Sequence, residues 1–457
     1  MHNKSKGHIH FVGIGGSSMS GLAELALKQG YIVSGSDRNI SEKSESLRQK
    51  GAIIYEGHSA NNITDDISLV VYTLAVPQNN PELIEAANKR IPIIERGKYL
   101  GEICSHYKYS VAVAGTHGKT STTSMLSSIL LSAKKEPSIH IGGFFPLINS
   151  NVLASDSDYF ITEACEYHEN FLNLRPFGEI ILNIEAEHLD YYRDLNHILD
   201  SFSEFISYCD SDGFIVVCMD DENAMSVISK ATANVITYST KNKEADVYAE
   251  NIKSSPCGSD YTLCYKGKDL CPIHMNIPGL HNVSNSLAAA AAAIFFGCSP
   301  DDIKDGLNSF TGTGRRFEKK GIYNGAPLID DYAHHPTEIK ATISAAKSIL
   351  SKGGKIYSIL QPHTYSRALA FQNEFATALK DADVVVVTDI FAAREKDPGT
   401  ISGKSMAEYF KSQDLNAIHI SSFYDIAKYI KDNVNENDIV ITLGAGNVND
   451  IIKLISQ

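Results

Sequence analysis

Apolar residues recur along the chain in short runs, and each run is followed by glycine or polar residues and then by a helical pattern. The first run, at 8–12, precedes a glycine turn, a helical pattern at 19–29 and a second run at 31–34. Similar runs stand at 68–72, 110–114, 159–162, 180–183, 328–330, 355–360, 383–387 and 438–443. Short apolar runs that alternate with helices predict parallel β-α-β units.

The number of these units fits the chain length. At 457 residues the chain has room for roughly three domains of about 150 residues each. We predict an α/β protein with an N-terminal Rossmann-like domain at 1–107, a central P-loop-type ATPase α/β domain at 108–314 and a C-terminal Rossmann-like domain at 315–457. Central helices are predicted at 122–131, 196–209 and 286–296.

The clearest chemical motif lies between the apolar run at 110–114 and the helix that follows it. Glycines let backbone N–H groups approach phosphate oxygens, and the helix N-terminus adds partial positive charge. Lys119 can neutralise the outer phosphates of a nucleotide, and Thr120 can hold Mg²⁺. The spacing departs from the standard phosphate loop, because Val113 stands where its first glycine is expected. We predict an ATP site formed by Gly115, Thr116, Gly118, Lys119, Thr120 and Ser121.

A second glycine turn follows the first strand and indicates another anion site. Gly15 and Gly16 precede a helix, so a pyrophosphate is the expected ligand. Ser18 stands where the dinucleotide fingerprint has a third glycine, and Asp37 stands where a nicotinamide enzyme binds ribose. From this segment alone, a nicotinamide oxidoreductase is an alternative. The strand that ends at Thr73 is expected to line the same crevice.

Acidic and histidine side chains follow two strands near the phosphate loop. Glu163 follows the run at 159–162, and His188 follows the run at 180–183. Ligands of open parallel sheets bind beyond the carboxyl ends of the strands, so both side chains should reach the loop. Either one alone is more simply a solvated carboxylate or a core histidine. Their coincidence beside a Lys-Thr loop favours metal ligands or partners through water.

Composition restricts the partners and the location. The net charge of −13 argues against a general nucleic-acid or membrane-surface binder. No segment approaches the roughly 20 apolar residues of a membrane span, and the N-terminus has no apolar signal core. Cys257, Cys264 and Cys271 recur every seven residues without the paired spacing of a zinc site. We expect small buried cysteines in a reducing compartment, and a cytoplasmic protein.

The combination of sites indicates the class of reaction. A nicotinamide enzyme needs no Lys-Thr phosphate loop, and a regulatory GTPase has little use for a separate pyrophosphate domain. A ligase that couples ATP cleavage to the joining of two substrates needs two anion sites and a third unit for the second substrate. A nucleotide-sensing binding protein without turnover is the alternative from another class.

Several motifs together resemble the Mur ligases, and within them the alanine-adding branch. They stand at 13–16 with 19–23, at 114–121, 163–166, 281–285, 315–318, 330–336 and 361–367. The resemblance implies that ATP phosphorylates the lactyl carboxylate of UDP-N-acetylmuramate, and that the amine of L-alanine then attacks the acyl phosphate, in peptidoglycan biosynthesis. The recycling branch, which attaches a preformed tripeptide to the same nucleotide sugar, is the nearest alternative.

The resemblance also implies a role for each site residue. It assigns phosphate and magnesium to Gly118, Lys119 and Thr120, with Glu163 and His188 on the metal. It assigns the adenine and the remaining nucleotide contacts to Asn282, Asn285, Arg316 and Asp331. It assigns uridine diphosphate to Gly15, Gly16, Ser36 and Asp37. It places Tyr332, His334, His363 and Arg367 at the amino acid, where the arginine pairs with the carboxylate and a histidine helps to deprotonate the ammonium.

Two departures from the family pattern matter. The segment at 163–168 reads Glu-Ala-Cys-Glu-Tyr-His, whereas many members carry an acidic E-A-D-E-S-D run there. No lysine stands in 189–193, where relatives that act on later muramyl peptides carry one that becomes carbamoylated, and this agrees with the alanine-adding branch. The expected partners are UDP-N-acetylmuramate and L-alanine, with no nucleic acid and no membrane insertion, for a monomer or weak homodimer.

Overall fold

The computed structural model describes residues 6–188, 191–255, 258–393 and 395–457. The start of the N-terminus, the two residues after His188, and Cys257 therefore lie outside the described residues. Among the described helices, none is long and apolar enough to cross a membrane.

The chain divides into two compact units. The first contains the described residues of Met1–Tyr248, Cys264–Cys271 and Asn285–Leu307, and the second contains those of Ala249–Leu263, Pro272–Ser284 and Asn308–Gln457. Three sheets are formed, and the α/β class with three sheet-containing parts is confirmed. The exact domain boundaries at 107 and 314 stay a prediction.

The N-terminal sheet is parallel, with strand order β3-β2-β1-β4-β5. Its strands are β1 His8–Val12, β2 Ile32–Asp37, β3 Ile53–Glu56, β4 Ile67–Tyr72 and β5 Ile93–Glu95. Its helices are α1 Ser17–Lys28, α2 Glu42–Gln49, α3 Pro81–Asn88 and α4 Arg96–Ser105. The order reverses between β1 and β4, so the ligand crevice of this sheet opens between the turn after Val12 and Thr73.

The central sheet has ten strands in the order β15-β14-β13-β12-β11-β10-β6-β9-β7-β8. The strands are β6 Tyr109–Ala114, β7 Ser138–Phe145, β8 Ser150–Leu153, β9 Tyr159–Glu163, β10 Gly178–Ile181, β11 Phe214–Cys218, β12 Asn234–Ser239, β13 Val247–Ser255, β14 Gly258–Tyr265 and β15 Lys268–Met275. The helices are α5 Lys119–Ser132, α6 Leu195–Ile206, α7 Glu222–Val227, α8 Leu280–Phe295 and α9 Pro300–Ser309. Strands β10, β6, β9 and β7 are parallel, so their carboxyl ends share one edge.

The C-terminal sheet has the order β16-β17-β21-β18-β19-β20, and only β16 runs antiparallel to its neighbour. Its strands are β16 Glu318–Tyr323, β17 Ala326–Asp331, β18 Ile356–Leu360, β19 Val384–Val387, β20 Ala417–His419 and β21 Ile439–Leu443. Its helices are α10 Pro336–Ile349, α11 Tyr365–Ala370, α12 Gln372–Ala378, α13 Gly403–Ser412, α14 Phe423–Asn433 and α15 Asp450–Ser456.

Burial explains why the strands are continuous apolar runs. Phe11 and Ala112 belong to one hydrophobic cluster that is continuous through the first unit. In the second unit, two clusters contain alternate residues of the same strands, with Ile359 in one and Leu360 in the other. Both faces of the inner parallel strands are covered in this arrangement, and every residue of β1 and of β21 is buried. The expectation of buried cysteines holds for Cys264 and Cys271.

Some predicted helix boundaries are wrong: α5 begins at Lys119, not at 122, and α6 ends at Ile206, not at 209. The alanine-rich helix α8 begins at Leu280, not at 286. Gly279 has a φ of +108°, and its carbonyl accepts from the Asn282 N–H at 3.0 Å, so the helix starts directly after it. Residues 280–285 include few strong helix formers, which is why their composition favoured a loop. Asn282 and Asn285 therefore lie within the first turns of α8.

Candidate active site

The phosphate loop joins β6 to α5, as predicted. Gly118 is the residue before α5 and has a left-handed φ of +88°, with no side-chain cap on the helix. A Cβ at Gly118 would lie 2.5 Å from the Asn285 side-chain oxygen, so only glycine fits. The structure thus brings Asn285 to the phosphate loop. The first N–H groups of α5 have no intrahelical partner, which is the arrangement that binds phosphate.

The loop is held by the chain that follows β10. The Thr116 N–H donates to the Asn183 carbonyl at 2.9 Å, and the His117 N–H donates to the Asn183 side chain at 2.8 Å. The Asn183 amide returns a bond to the His117 carbonyl at 3.1 Å, and the Thr116 hydroxyl accepts from the Glu185 N–H at 2.8 Å. These bonds fix the backbone of the loop before any ligand arrives.

Lys119 is bound to a carboxylate that the sequence analysis did not assign. Its Nζ lies 3.0 and 2.9 Å from the two carboxylate oxygens of Glu166. The His188 Nε2 lies 3.6 Å from the same carboxylate. Burial opposes the ionised form of Glu166, but the Lys119 charge and the His188 contact overcome it and hold the pKa of this carboxyl below its usual value. Glu166 therefore links Lys119 to His188.

Glu163 ends β9 and faces a glycine of β7. Its carboxylate accepts from the Gly142 N–H at 2.6 Å. A Cβ at Gly142 would lie 3.2 Å from both carboxylate oxygens, so a side chain there would crowd Glu163. Thr120 is buried in the first turn of α5. Thr120, Glu163 and His188 carry a hydroxyl, a carboxylate and an imidazole, which are ligand types that divalent cations take in proteins. Their joint binding of a metal stays a prediction.

The N-terminal glycine turn lies between β1 and α1, as predicted. The Gly15 N–H donates to the Asp37 carboxylate at 2.9 Å, so this predicted pair is in direct contact. Gly16 is exposed at the N-terminus of α1, where no side chain caps the helix. Ser36 is buried, and its hydroxyl donates to Glu82 at 2.6 Å. This bond gives the Ser36 side chain a structural role within the sheet.

A hydrogen-bonded group connects the N-terminal turn to β7 of the central sheet. The Ser18 hydroxyl lies 3.2 Å from His140 Nε2 and accepts from Arg96 Nη1 at 3.2 Å. The other ring nitrogen of His140 lies 3.1 Å from the Thr162 hydroxyl. Burial, aided by the Arg96 charge, lowers the pKa of His140 to about 4. The imidazole is therefore neutral near neutral pH.

In the second unit, Arg315 connects the segment before β16 to the ends of β17 and β21. Arg315 donates to Asp330 at 2.9 Å and to the Gly446 carbonyl at 2.8 Å. Asp331 accepts from the Phe317 and Ala333 N–H groups at 2.9 and 2.8 Å. Burial raises the pKa of Asp331 to about 6, although the nearby Arg316 charge and these hydrogen bonds oppose the shift.

The residues predicted for the amino acid lie together at the carboxyl ends of β17 and β18. The ring centroids of Tyr332 and His334 are 5.4 Å apart, and those of His334 and His363 are 5.6 Å apart. Arg367 Nη1 lies 3.1 Å from His363 Nδ1. The guanidinium of Arg316 lies 5.3 Å from the centre of the Tyr332 ring. The four side chains predicted for the amino acid are thus gathered within the second unit, together with Arg316, which was predicted for the nucleotide.

Several residues with defined contacts in these sites were not predicted to act, among them Asn183, Glu166 and Arg315. Glu166 was part of a quoted motif, and its spacing of three from Glu163 was the available signal. Arg315 was also part of a quoted motif, at 315–318. Asn183 acts through a loop that is distant in sequence, so no local pattern marked it.

The arrangement defines an α/β nucleotide-using protein with a phosphate loop on the middle sheet of three. Models of the Mur ligase family describe the chain in three parts: the Mur ligase family catalytic domain matches residues 8–108, the middle domain matches 113–293, and the glutamate ligase domain matches 315–446. The chain belongs to the Mur ligase family.

Named relatives cover nearly the whole chain. The UDP-N-acetylmuramate–L-alanine ligase of Acetivibrio thermocellus is 46% identical over 98% of this chain and 94% of its own. The solved structure of the UDP-N-acetylmuramate–alanine ligase of Thermotoga maritima matches with a TM-score of 0.83 and 30% identity, over 98% of both chains. A murein peptide ligase from Psychrobacter arcticus matches with a TM-score of 0.71 and 27% identity, over 98% of both chains.

Proposed function

We propose that this protein is the ATP-dependent ligase that joins L-alanine to the lactyl carboxylate of UDP-N-acetylmuramate. The products are UDP-N-acetylmuramoyl-L-alanine, ADP and phosphate, in peptidoglycan biosynthesis. The observation that carries the proposal is the 46% identity, over 98% of the chain, to a relative with this name. We further propose that it acts in the cytoplasm as a monomer or weak homodimer.

The phosphate loop is proposed to hold ATP. Backbone N–H groups from Gly115 to Ser121 and the N-terminus of α5 bind the phosphates, and Lys119 neutralises charge that develops on transfer. Thr120, Glu163 and His188 would hold Mg²⁺, which neutralises phosphate charge when it is bound. Asn282, Asn285, Arg316 and Asp331 are proposed to contact the rest of the nucleotide.

The N-terminal glycine turn is proposed to hold the uridine diphosphate. Gly15 and Gly16 bring backbone N–H groups toward the pyrophosphate at the N-terminus of α1. Asp37, Ser36 and Thr73 are proposed to contact the same ligand, and the reversal of strand order between β1 and β4 supports this placement. Because this site is on another sheet from the phosphate loop, sugar binding and nucleotide binding should be separable.

The aromatic and cationic cluster of the second unit is proposed to hold L-alanine. Arg367 pairs with the alanine carboxylate through two parallel hydrogen bonds. His334 or His363 accepts a proton from the ammonium, which leaves a neutral amine able to attack the acyl phosphate. Tyr332, whose ring lies 5.4 Å from that of His334, is proposed to contact the same amino acid. The amine adds to the acyl carbon, and phosphate leaves from the tetrahedral intermediate.

The deciding experiment measures phosphate release from ATP with Mg²⁺ and UDP-N-acetylmuramate. Free L-alanine is compared with the tripeptide L-Ala-γ-D-Glu-meso-diaminopimelate. We expect turnover with free alanine. Turnover with the tripeptide alone would move the protein to the recycling branch, and no phosphate release with either would support a nucleotide-sensing protein.

A further inference from the structure

The ammonium of Lys119 has its hydrogen-bonding capacity occupied by the protein itself. Besides the two oxygens of Glu166, its Nζ donates to the Gly115 carbonyl and, at 3.1 Å, to the Thr116 carbonyl. An ammonium has three N–H donors, and these four oxygens use all of them. A nucleotide phosphate can reach Lys119 only by replacing one of these partners.

Glu166 is the partner that a phosphate would replace. The two carbonyls belong to the phosphate loop, whose backbone is fixed by Asn183. Glu166 is an anion, and an incoming phosphate carries the same sign of charge, so the two compete for one cation. When phosphate replaces the carboxylate, Lys119 keeps an anionic partner. This matters because a charge that is removed from water without a partner raises the free energy of the protein.

The backbone around Glu166 is held in a specific conformation. The Glu166 carbonyl accepts from the Tyr192 hydroxyl at 2.5 Å. His168 and Glu169, which follow in the sequence, have left-handed φ angles of +52° and +54°. Glu169 is fixed by the Tyr191 and Ser201 hydroxyls, each at 2.8 Å. These contacts hold the left-handed backbone of His168 and Glu169 in place. This backbone conformation keeps the Glu166 side chain beside Lys119.

We propose that Glu166 is a positioning residue: it holds the Lys119 ammonium in the nucleotide-free protein and gives it up to the phosphates of the nucleotide. The inference rests on the proposed nucleotide site. As a consequence, the wild-type protein binds nucleotide more weakly than it would without the Glu166 carboxylate, because the phosphates must displace this anion from Lys119. In return, the loop lysine keeps its place when the site is empty.

The test measures binding of ADP in the presence of EDTA by titration calorimetry, on the full chain. Removing Mg²⁺ leaves Lys119 as the main countercharge for the phosphates, which makes the competition visible. We expect Glu166→Gln to bind ADP at least about 5-fold more tightly than the wild type, because the amide keeps the shape but does not compete as an anion. Glu204→Gln is the matched control, because Glu204 is exposed on α6 and its carboxylate accepts from the Tyr208 hydroxyl; it should bind within about 2-fold of the wild type.

Thermal unfolding gives a second readout of the same exchange. Without ADP, Glu166→Gln should melt below the wild type, because Lys119 loses its countercharge. With saturating ADP, the difference should shrink, because phosphate supplies the missing charge. If Glu166→Gln does not fold, Glu166→Asp retains the charge but shortens its reach, and it should bind ADP more tightly than the wild type by a smaller factor.

The outcomes separate this inference from the proposed function. Suppose that the wild type binds ADP and Lys119→Ala does not, but Glu166→Gln binds no more tightly than the wild type. The proposed exchange of Glu166 for phosphate is then wrong, whereas the proposed nucleotide site is supported. If the wild type does not bind ADP, with or without Mg²⁺, the nucleotide site itself is wrong. A weaker affinity in Glu166→Gln would mean that Glu166 only supports the loop.

Discussion

His140 Nε2 and the Ser18 hydroxyl lie 3.2 Å apart, although 122 positions separate them in the sequence. The contact joins the turn proposed for uridine diphosphate to β7. The same strand contains Gly142, whose N–H binds the proposed metal ligand Glu163. One strand therefore connects two proposed sites.

Ser18→Ala should destabilise the protein by about 1–3 kcal/mol, because it leaves the buried His140 nitrogen without its partner. Urea unfolding monitored by circular dichroism measures the change. Ser17→Ala is the control, since Ser17 is exposed and its hydroxyl accepts from the flexible Lys43 side chain; its effect should stay within about 0.5 kcal/mol. Equal effects of the two variants would contradict the structural role of Ser18.

The stability of the protein should fall as the pH drops from 6.5 toward 4, in part because of His140. Its folded pKa is about 4, whereas the unfolded value is about 6.5. Above the unfolded value both states are neutral and the contribution is complete. Below the unfolded value, His140 binds a proton in the unfolded chain but stays neutral in the folded protein. The unfolding free energy should therefore drop by about 2 kcal/mol between about pH 7.5 and about pH 5.

The variant His140→Gln isolates this contribution, because glutamine does not titrate. Urea unfolding across the same pH range should show a smaller decrease than in the wild type. Desolvation and the nearby Arg316 charge lower the pKa of the partly exposed His281 to about 4 as well, so part of the decrease should persist. An unchanged pH dependence in His140→Gln would show that the imidazole does not titrate as inferred.

Gly118→Ala should abolish most ATP turnover. The left-handed backbone costs an alanine about 1–2 kcal/mol, and its Cβ would lie 2.5 Å from the Asn285 oxygen. Gly57→Ala is the control, because its φ of +75° carries similar strain while no atom lies within 4 Å of the added Cβ. Phosphate release should survive in Gly57→Ala. Comparable losses in both would assign the effect to backbone strain alone.

Lys119→Ala should reduce turnover by at least about 10²-fold, because the charge that stabilises phosphoryl transfer is removed. Its affinity for UDP-N-acetylmuramate, measured by calorimetry, should stay within about 2-fold of the wild type. We expect the sugar affinity to be independent of Lys119 because the two proposed sites lie on different sheets. If turnover and sugar affinity fall together, the sites are coupled more tightly than we infer.

Arg367→Lys should raise the KM for L-alanine by about 10–100-fold, because an ammonium cannot make the paired hydrogen bonds of a guanidinium to a carboxylate. The KM for UDP-N-acetylmuramate should not change, which serves as the internal control. Steady-state phosphate release at varied alanine measures both. A rise in the KM for the sugar instead would place Arg367 at a different substrate.

The three-sheet organisation was predictable because parallel strands covered on both faces must be continuously apolar. β1 was predicted at its observed limits, and β6 and β18 were predicted within one residue. The polar residues after these strands were predictable as sites for a related reason: carboxyl ends of parallel strands share an edge. The start of α8 was missed, because Leu280 to Asn285 have no strong local preference for helix.

The sequence by itself determined the class of fold, the phosphate loop and the candidate residues of each site, since these depend on local periodicity and on residue type at fixed spacing. Tertiary structure decided which side chains meet. Whether Glu163 or Glu166 binds Lys119 depends on the backbone at His168 and Glu169, and the pairing of Ser18 with His140 depends on how two sheets pack. Such contacts join residues far apart in the chain, so no local pattern specifies them.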